Sequence, residues 1–243
     1  MKIKLNCDLG ESFGAWTMGH DSEVMPYIDQ ANIACGFHGG DPLVMQKTLA
    51  LAKQHQVAIG AHPSYPDLVG FGRRSMACSS EEIIALMHYQ VAAIDGMASA
   101  QGLSIDYVKP HGALYNDMMA KAEVFTAILA ALSQYPKKLT LMLQATPELA
   151  AFKAQANEFG ISVYAEAFAD RCYDDDGRLL ARSQAGAVLT KVAMLAQVKQ
   201  LTEQGTVTTL SGKVLKLNVD SICVHGDNIA GVQAIGEIKT LLR

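Results

Sequence analysis

The sequence predicts an α/β fold with a parallel sheet, in a single domain that spans residues 1–243. Short apolar runs alternate seven times with longer helical patterns, which is the arrangement of βα units. The runs are continuously apolar, as expected of parallel strands that are buried on both faces. No shift in composition, flexible linker or repeat divides the chain, and 50% of its residues are hydrophobic, enough to fill one large core.

The strands are predicted where the apolar runs lie, and two additional elements are expected between the sixth and seventh strands. A turn is predicted at residues 174–177, where the sequence is Asp-Asp-Asp-Gly, and a β-hairpin at residues 206–217 around Ser211-Gly212. The seven predicted strands cover residues 3–7, 31–35, 57–59, 107–108, 139–143, 161–164 and 221–224.

The helices carry recognisable start signals. Asp41-Pro42 and Thr146-Pro147 each place a capping oxygen before a proline at the first helical position. Residues 79–82 (Ser-Ser-Glu-Glu) have the pattern of a capping box. The apolar positions that follow this box at a spacing of three or four, as on one face of a helix, are Ile83, Met87, Val91, Ile94 and Ala98.

Composition excludes several classes of function. There are 20 Lys and Arg against 24 Asp and Glu, a formal charge of −4, and no basic run, so we expect no nucleic-acid or acidic-membrane partner. The N-terminus has no apolar signal-peptide region, and no stretch of about 18 uncharged apolar residues predicts a membrane span. Five cysteines, none in C-x-x-C spacing, indicate reduced thiols, so a cytoplasmic location is expected.

Polar side chains cluster where the predicted strands end. Four of the seven histidines follow a strand directly, and in parallel α/β folds these strand ends converge on one face. Polar loops alone would explain Asp and Asn there, but not four histidines in the same place, so a shared site is predicted. The residues are Asn6, Asp8, Glu11, His38, Asp41, His62, Lys109, His111, Gln144, Glu166, Asp170, Arg171, His225, Asp227 and Asn228.

The chemistry of this cluster is open between two interpretations. Asp8, His38 and His62 have the residue types of a two-histidine, one-carboxylate metal site. The same residues could act as general acids and bases without a metal. The cations of the same loops suit a substrate carboxylate or phosphate, and glycine-rich loops at residues 35–41 and 69–74 favour a ligand. These cations are Arg73, Arg74, Lys109 and Arg171.

Several common catalytic motifs are absent from the sequence. Residues 70–75 (GFGRRS) lack the third glycine of a dinucleotide-binding loop, and no Walker A loop occurs. There is also no G-x-S-x-G and no H-E-x-x-H. Nucleophile-elbow hydrolases, zincins, dinucleotide dehydrogenases and Walker-type ATPases are therefore disfavoured.

The chain resembles the LamB/YcsF family. The resemblance extends from residue 6 to residue 228, and its one departure is Gly39, where the family usually carries alanine. The motifs that carry it are residues 6–12 (NCDLGES), 32–42 (NIACGFHGGDP), 60–67 (GAHPSYPD), 70–74 (GFGRR), 108–116 (VKPHGALYN), 166–173 (EAFADRCY) and 224–228 (VHGDN).

The resemblance implies a fold and an activity. The fold is a seven-stranded, distorted parallel β/α barrel of the glycoside hydrolase/deacetylase class. The activity is the opening of 5-oxo-L-proline to L-glutamate at the expense of ATP, with Mg²⁺, in a 5-oxoprolinase whose partner subunits are B and C. A divalent metal in the site itself is a further option.

With this activity in view, the polar cluster is divided into two sets. Residues expected to be catalytic are Asp8, Glu11, His38, His62, Lys109, His111 and Asp170. Residues expected to contact the substrate are Asn6, Asp41, Arg73, Arg74, Tyr115, Glu166, Arg171, His225 and Asp227.

Two other functions compete with this one. A metal-dependent deacetylase could act without ATP through Asp8, His38 and His62, an interpretation that rests on fold similarity alone. A non-catalytic subunit could instead capture the substrate for partners that hold the chemistry. Turnover of 5-oxoproline measured with and without ATP distinguishes the deacetylase from a 5-oxoprolinase. Variants that bind substrate without turning it over argue against the non-catalytic subunit.

Overall fold

The computed structural model of the chain describes residues 2–182, 184–226 and 228–242. Within these residues, seven parallel strands close into a barrel, in which each strand pairs with the next and the last pairs with the first. In barrel order the strands are β1 (Lys4–Leu9), β2 (Gln30–Ala34), β3 (Ala58–His62), β4 (Tyr107–Val108), β5 (Thr140–Gln144), β6 (Val163–Phe168) and β9 (Ser221–His225). The predicted seven-stranded parallel barrel is confirmed.

Helices surround the barrel, and neighbouring helices pack against one another around much of its circumference. They are α1 (Asp21–Val24), followed by a 3₁₀ turn (Met25–Tyr27), α2 (Pro42–His55), α3 (Ser80–Ala100), α4 (Gly112–Ala120), α5 (Ala122–Gln134), α6 (Leu149–Glu158), α7 (Lys191–Gln204) and α8 (Ile229–Leu241). The predicted hairpin lies outside the barrel as β7 (Thr206–Thr208) and β8 (Val214–Lys216), which pair antiparallel. Its tip is fastened to the 174–177 turn, because Thr209 and Ser211 donate hydrogen bonds to Asp175.

Two of the three predicted helix caps are present. Asp41 accepts hydrogen bonds from the backbone N–H groups of Leu43 and Val44 and begins α2, and Ser79 with Glu82 forms the capping box of α3. The prediction of a helix cap at Thr146 is wrong. Pro147 and Glu148 form a turn that delays α6 to Leu149, and no side chain caps that helix.

Helix α3 is long and apolar enough to cross a membrane by length and composition. However, Ile83, Met87, Val91 and Ile94 are buried on the face with which the helix packs on β3 and α5. A core helix satisfies the same criteria, so this packing accounts for its hydropathy.

The barrel has an apolar outer face and a polar interior. Along β1, Leu5, Cys7 and Leu9 are buried, and between them Asn6 contacts Glu166 of β6 and Asp8 contacts Asn32 of β2. This period of two is the pleat of a strand. Because polar residues belong to the strands themselves, several strands run past the ends of their apolar runs, to Leu9, His62 and Phe168.

Candidate active site

The barrel interior is bridged by a chain of hydrogen bonds between polar side chains. Tyr107 Oη donates to Asn32 Oδ1 at 2.6 Å. The Asn32 amide donates to Asn6 Oδ1 and to Asp8 Oδ1, each at 2.8 Å. Asn6 Nδ2 in turn lies 3.3 Å from Glu166 Oε2. Buried amides, each with partners, therefore fix the two carboxylates of the interior in place.

Lys109 occupies the centre of the site, with only 2% of its surface exposed. Its Nζ lies 2.9 Å from Asp8 Oδ1, 3.1 Å from Glu166 Oε2 and 3.2 Å from Cys223 Sγ. Burial alone would lower the pKa of Lys109, but the facing Asp8, Cys223 and Glu166 hold it well above its ordinary value. Burial would likewise raise the pKa of Asp8, yet Lys109 and His62 keep it well below the ordinary range. The lysine is thus a fixed ammonium between carboxylates.

Beside this ion pair lies the histidine cluster, which we define as Glu11, His38, His62 and His111. His62 Nδ1 donates to the carbonyl oxygen of Lys109 at 2.6 Å, and His111 Nε2 donates to that of Phe71 at 2.9 Å. The other nitrogens of these two rings, His62 Nε2 and His111 Nδ1, face each other at 3.0 Å. Burial lowers the pKa of His111 well below its ordinary value, and the neighbouring histidines lower it further.

His38 packs on the outer side of the cluster. Its ring lies parallel to that of His111, with centroids 3.6 Å apart and an interplanar angle of 1°. Its Nε2 lies 3.2 Å from Glu11 Oε1, and its Nδ1 is buried with no hydrogen-bond partner among the described residues. Burial lowers the pKa of His38 well below the ordinary value, and His62 adds to this effect. The imidazole is therefore neutral at pH 7.

The loop that follows β3 covers the histidine cluster, and Gly72 brings the two into contact. Gly72 has φ +64°, and a Cβ at this position would lie 2.8 Å from His111 Cδ2 and 2.9 Å from the Cβ of His38. Only glycine fits so close to both rings in this conformation. Asp67 fixes the loop by accepting from the backbone of Gly70 and from the side chain of Arg74.

A second group lies at the ends of β6 and β9, and we call it the Asp170–His225 pair. His225 Nδ1 lies 2.9 and 3.0 Å from the two oxygens of Asp170, and Asn228 Nδ2 donates to Asp170 at 3.0 Å. Burial would raise the pKa of Asp170, but His225 and Asn228 hold it below the ordinary value. The ring of His225 also stacks on Phe168, with centroids 5.5 Å apart. This imidazole is held by a carboxylate, whereas His62 and His111 are held by carbonyl groups.

Both groups border one cavity of about 570 Å³ at the carboxyl ends of the strands. Its walls include three arginines, Arg73, Arg171 and Arg182, and its floor is formed by Lys109 and its neighbours. Such a volume suits a small ligand, and the arrangement offers it a cationic wall and an acid–base floor. The predicted site residues that line the cavity are Asp8, Glu11, His62, Arg73, Lys109, His111, Tyr115, Arg171 and His225.

The remaining predicted residues lie elsewhere. His38, Glu166 and Asp170 lie behind the lining, each in contact with a lining residue, and Asn6 lies behind Glu166. Asp41 caps α2 and also accepts from the backbone of Gly14. Arg74 pairs with Asp67 and keeps 65% of its side chain exposed. Asp227 lies outside the described residues.

Among the residues of the site that the sequence did not predict are Asn32, Cys223 and Arg182. Asn32 and Cys223 are hidden inside apolar runs, and their signal is only a polar or sulfur-bearing residue where an apolar one is expected. Arg182 lines the cavity from the segment between β6 and α7, and no sequence pattern marks it.

The comparison that decides the family is a match of the LamB/YcsF family model to residues 3–243. The chain belongs to the LamB/YcsF family. Its relatives in this family include the A subunit of 5-oxoprolinase from Pseudomonas fluorescens, 50% identical over 99% of this chain and 97% of the relative. They also include the A subunit of 5-oxoprolinase from Vibrio cholerae, 49% identical over 99% of this chain and 97% of the relative.

A solved structure of the same shape is that of a lactam utilization protein from Thermus thermophilus. It has a TM-score of 0.89 and 39% identity, and the match covers 98% of this chain and 96% of that one. The strand-end site therefore belongs to a LamB/YcsF barrel.

Proposed function

We propose that this chain is the A subunit of an ATP-dependent 5-oxoprolinase, a hydrolase that opens 5-oxo-L-proline to L-glutamate. The observation that carries the proposal is the identity of about 50%, over nearly the whole length of both chains, to proteins named as the A subunit of 5-oxoprolinase. The cavity is consistent with it, because a small anionic lactam finds both cations and acid–base groups there.

The reaction needs an energy source, since a five-membered lactam is an unstrained, resonance-stabilised amide. Transfer of the γ-phosphoryl group of ATP to the lactam oxygen makes the ring carbon electrophilic. Water then adds to that carbon, the C–N bond breaks, and the ring nitrogen takes a proton and becomes the amine of glutamate. Hydrolysis of the remaining acyl phosphate releases phosphate, so one ATP and two water molecules are consumed.

We assign roles to the groups that line the cavity. Arg73 and Arg171 line the cavity, and we assign them to the carboxylate of the substrate. The guanidinium of Arg171 is oriented by the carbonyl groups of Leu180 and Ala187. The ammonium of Lys109 suits the negative charge that develops on the lactam oxygen. His225 is the candidate for moving a proton to or from the ring nitrogen or water, because Asp170 fixes its tautomer and orientation.

ATP and the partner subunits belong to the same proposal. The sequence contains no Walker A loop. We therefore assign nucleotide binding with Mg²⁺, phosphoryl transfer, or both, to an assembly with subunits B and C. The proposed compartment is the cytoplasm.

The test is to assay glutamate released from 5-oxoproline by the chain alone and with subunits B and C, with and without ATP. We expect turnover only from the complete mixture with ATP. Asp8→Asn and His225→Gln should each reduce kcat at least about 100-fold, whereas His20→Gln, at an exposed histidine paired with Glu23, should not. Turnover by the lone chain, or no turnover by the complete mixture, contradicts the proposal.

A further inference from the structure

The hydrogen bonds of His62 and His111 determine which ring nitrogens carry their protons. A carbonyl oxygen only accepts, so His62 Nδ1 and His111 Nε2, which face the carbonyl groups of Lys109 and Phe71, must each carry a proton. In the neutral rings the remaining nitrogens, His62 Nε2 and His111 Nδ1, then carry lone pairs. These two lone-pair atoms lie only 3.0 Å apart and are buried.

Two lone pairs at this distance repel each other unless a proton or a metal ion lies between them. Glu11 adds a third donor atom, since its Oε1 lies 3.5 Å from His111 Nδ1. The edge of a tetrahedron around zinc, with bonds of about 2.0–2.1 Å, is about 3.3–3.4 Å. The observed separations of 3.0 and 3.5 Å bracket that edge. These two separations suit ligands of a single small cation, and the donor atoms of the whole cluster lie within 4.8 Å of one another.

Backbone carbonyl groups behind both rings strengthen this interpretation. Metal-ligating histidines generally donate their second N–H to a carbonyl or a carboxylate, which fixes the tautomer and the direction of the lone pair. His62 and His111 both satisfy this condition.

His38 belongs to the cluster but cannot be a ligand in its present orientation. A metal in the plane of the His111 ring lies outside the plane of the parallel His38 ring, 3.6 Å away. His38 Nε2 lies instead 3.2 Å from Glu11 Oε1, to which it can donate. His38 is therefore a positioning residue for Glu11.

We propose that Glu11 Oε1, His62 Nε2 and His111 Nδ1 bind one divalent transition-metal ion of the zinc class. All three residues line the cavity, so a fourth coordination position would open into it, as in the catalytic zinc sites that have two histidines and one glutamate. Imidazole nitrogen with carboxylate oxygen selects Zn²⁺, Co²⁺ or Fe²⁺ over Mg²⁺ or Ca²⁺.

This set differs from the Asp8, His38 and His62 expected from the sequence. The four donor residues of the histidine cluster lie within 4.8 Å of one another, and Asp8 is not among them. One oxygen of Asp8 is already held by Lys109 and Asn32, and the other lies 3.6 Å from His62 Nε2. A second group with the same spacing, Asp8, Cys223 and His225, offers a thiol in place of one of the two imidazoles of the proposed set.

The experiment measures metal binding directly and needs no turnover, so it can fail independently of the proposed 5-oxoprolinase activity. The purified chain is stripped with a chelator and titrated with Zn²⁺ by calorimetry and with Co²⁺ by absorption spectroscopy. We expect one ion per chain and visible cobalt bands of low coordination number, with no thiolate charge-transfer band in the near ultraviolet.

Variants then assign the ligands, with folding checked by circular dichroism. Glu11→Gln and His111→Gln should weaken Zn²⁺ binding more than about 100-fold, and His38→Gln about 10–100-fold with the ratio of one ion retained. His225→Gln and the exposed His20→Gln should bind as the parent does. The proposal is overturned if the parent chain binds no metal, if binding survives in both ligand variants, or if His225→Gln abolishes it.

Discussion

The two histidine groups around the cavity differ in what holds each ring. In the histidine cluster, His62 and His111 donate to backbone carbonyl groups, and their inner nitrogens face each other at 3.0 Å, where lone pairs on both would suit a shared metal ion. In the Asp170–His225 pair, the ring donates to a carboxylate that Asn228 also contacts.

One residue type can thus serve two kinds of chemistry in one cavity. A neutral carbonyl group fixes an imidazole as a lone-pair donor, which suits a metal ligand. A carboxylate stabilises the imidazolium form as well, which suits a group that takes up and releases a proton. Lys109 lies between the two groups and holds the carboxylates of the barrel interior.

The largest effect is expected at Lys109 itself. Lys109→Met removes the cation between Asp8 and Glu166 and leaves buried carboxylates unpaired, so the free energy of unfolding should fall by about 3–5 kcal/mol. The matched control is Lys137→Met, since Lys137 pairs with Asp95 at 2.6 Å with 43% of its side chain exposed, and its loss should cost less than about 1 kcal/mol. Urea unfolding measures the loss of unfolding free energy in both variants. Equal losses would show that Lys109 does not hold the interior together.

The Asp170–His225 pair should give stability a dependence on pH. The pKa of Asp170 is lower in the folded chain than its ordinary value, so its contribution is complete above the unfolded pKa of about 3.9 and is lost as the pH falls through the folded value. Asp170→Asn should therefore lower the unfolding free energy by about 2 kcal/mol at pH 7. The difference from the parent should shrink below about pH 4.

Unfolding is measured at several pH values, with Asp176→Asn, at an exposed position, as the control. A difference that is the same at all pH values would mean that the carboxylate charge of Asp170 is not what stabilises the pair.

Two glycine substitutions separate crowding of the histidine cluster from backbone strain. Gly72 and Gly102 have similar φ angles, +64° and +71°, but a Cβ at Gly72 would meet His111 and His38, whereas one at Gly102 would meet nothing within 4 Å. Gly102→Ala should cost about 1 kcal/mol of unfolding free energy through strain alone. Gly72→Ala should cost about 1–3 kcal/mol more, because the added methyl group crowds the rings. Equal costs would contradict the contact between this loop and the cluster.

The smallest effect is expected at Asp41, which the sequence predicts to contact the substrate and which the structure places at the cap of α2. Asp41→Ala should lower the unfolding free energy by about 1 kcal/mol, while Asp41→Asn should retain most of the stabilisation by the helix cap. Neither substitution should change the KM for 5-oxoproline more than about twofold in the assay of the three-subunit mixture. A large increase in KM for Asp41→Asn would instead support the substrate contact.

Local patterns explain why so much of the fold could be predicted. Apolar runs predicted the seven strands, and the caps at Asp41 and Ser79 depend only on residues two or three positions away. The cap at Thr146 was wrong because a turn at Pro147 competes with the helix start. Strand ends were placed too early wherever the polar interior begins, as at Asp8 and His62.

The sequence predicted which residues belong to the site better than it predicted how they contact one another. Histidines at strand ends were found because all parallel strands open on the same face. The pairing of Lys109 with Asp8 spans 101 positions, and no local pattern carries it. The same limit applies to the proposed metal ligands, since the position of Glu11 relative to His111 depends on how the first and fourth strands sit in the closed barrel.

The most direct test of the contrast between the two groups is a crystal structure of the chain soaked with Zn²⁺, with anomalous diffraction measured on both sides of the zinc absorption edge. We expect one anomalous peak within about 2.0–2.2 Å of Glu11 Oε1, His62 Nε2 and His111 Nδ1, with His225 still bound to Asp170. A peak at Asp8, Cys223 and His225 instead, or no peak near the cavity, would contradict this expectation.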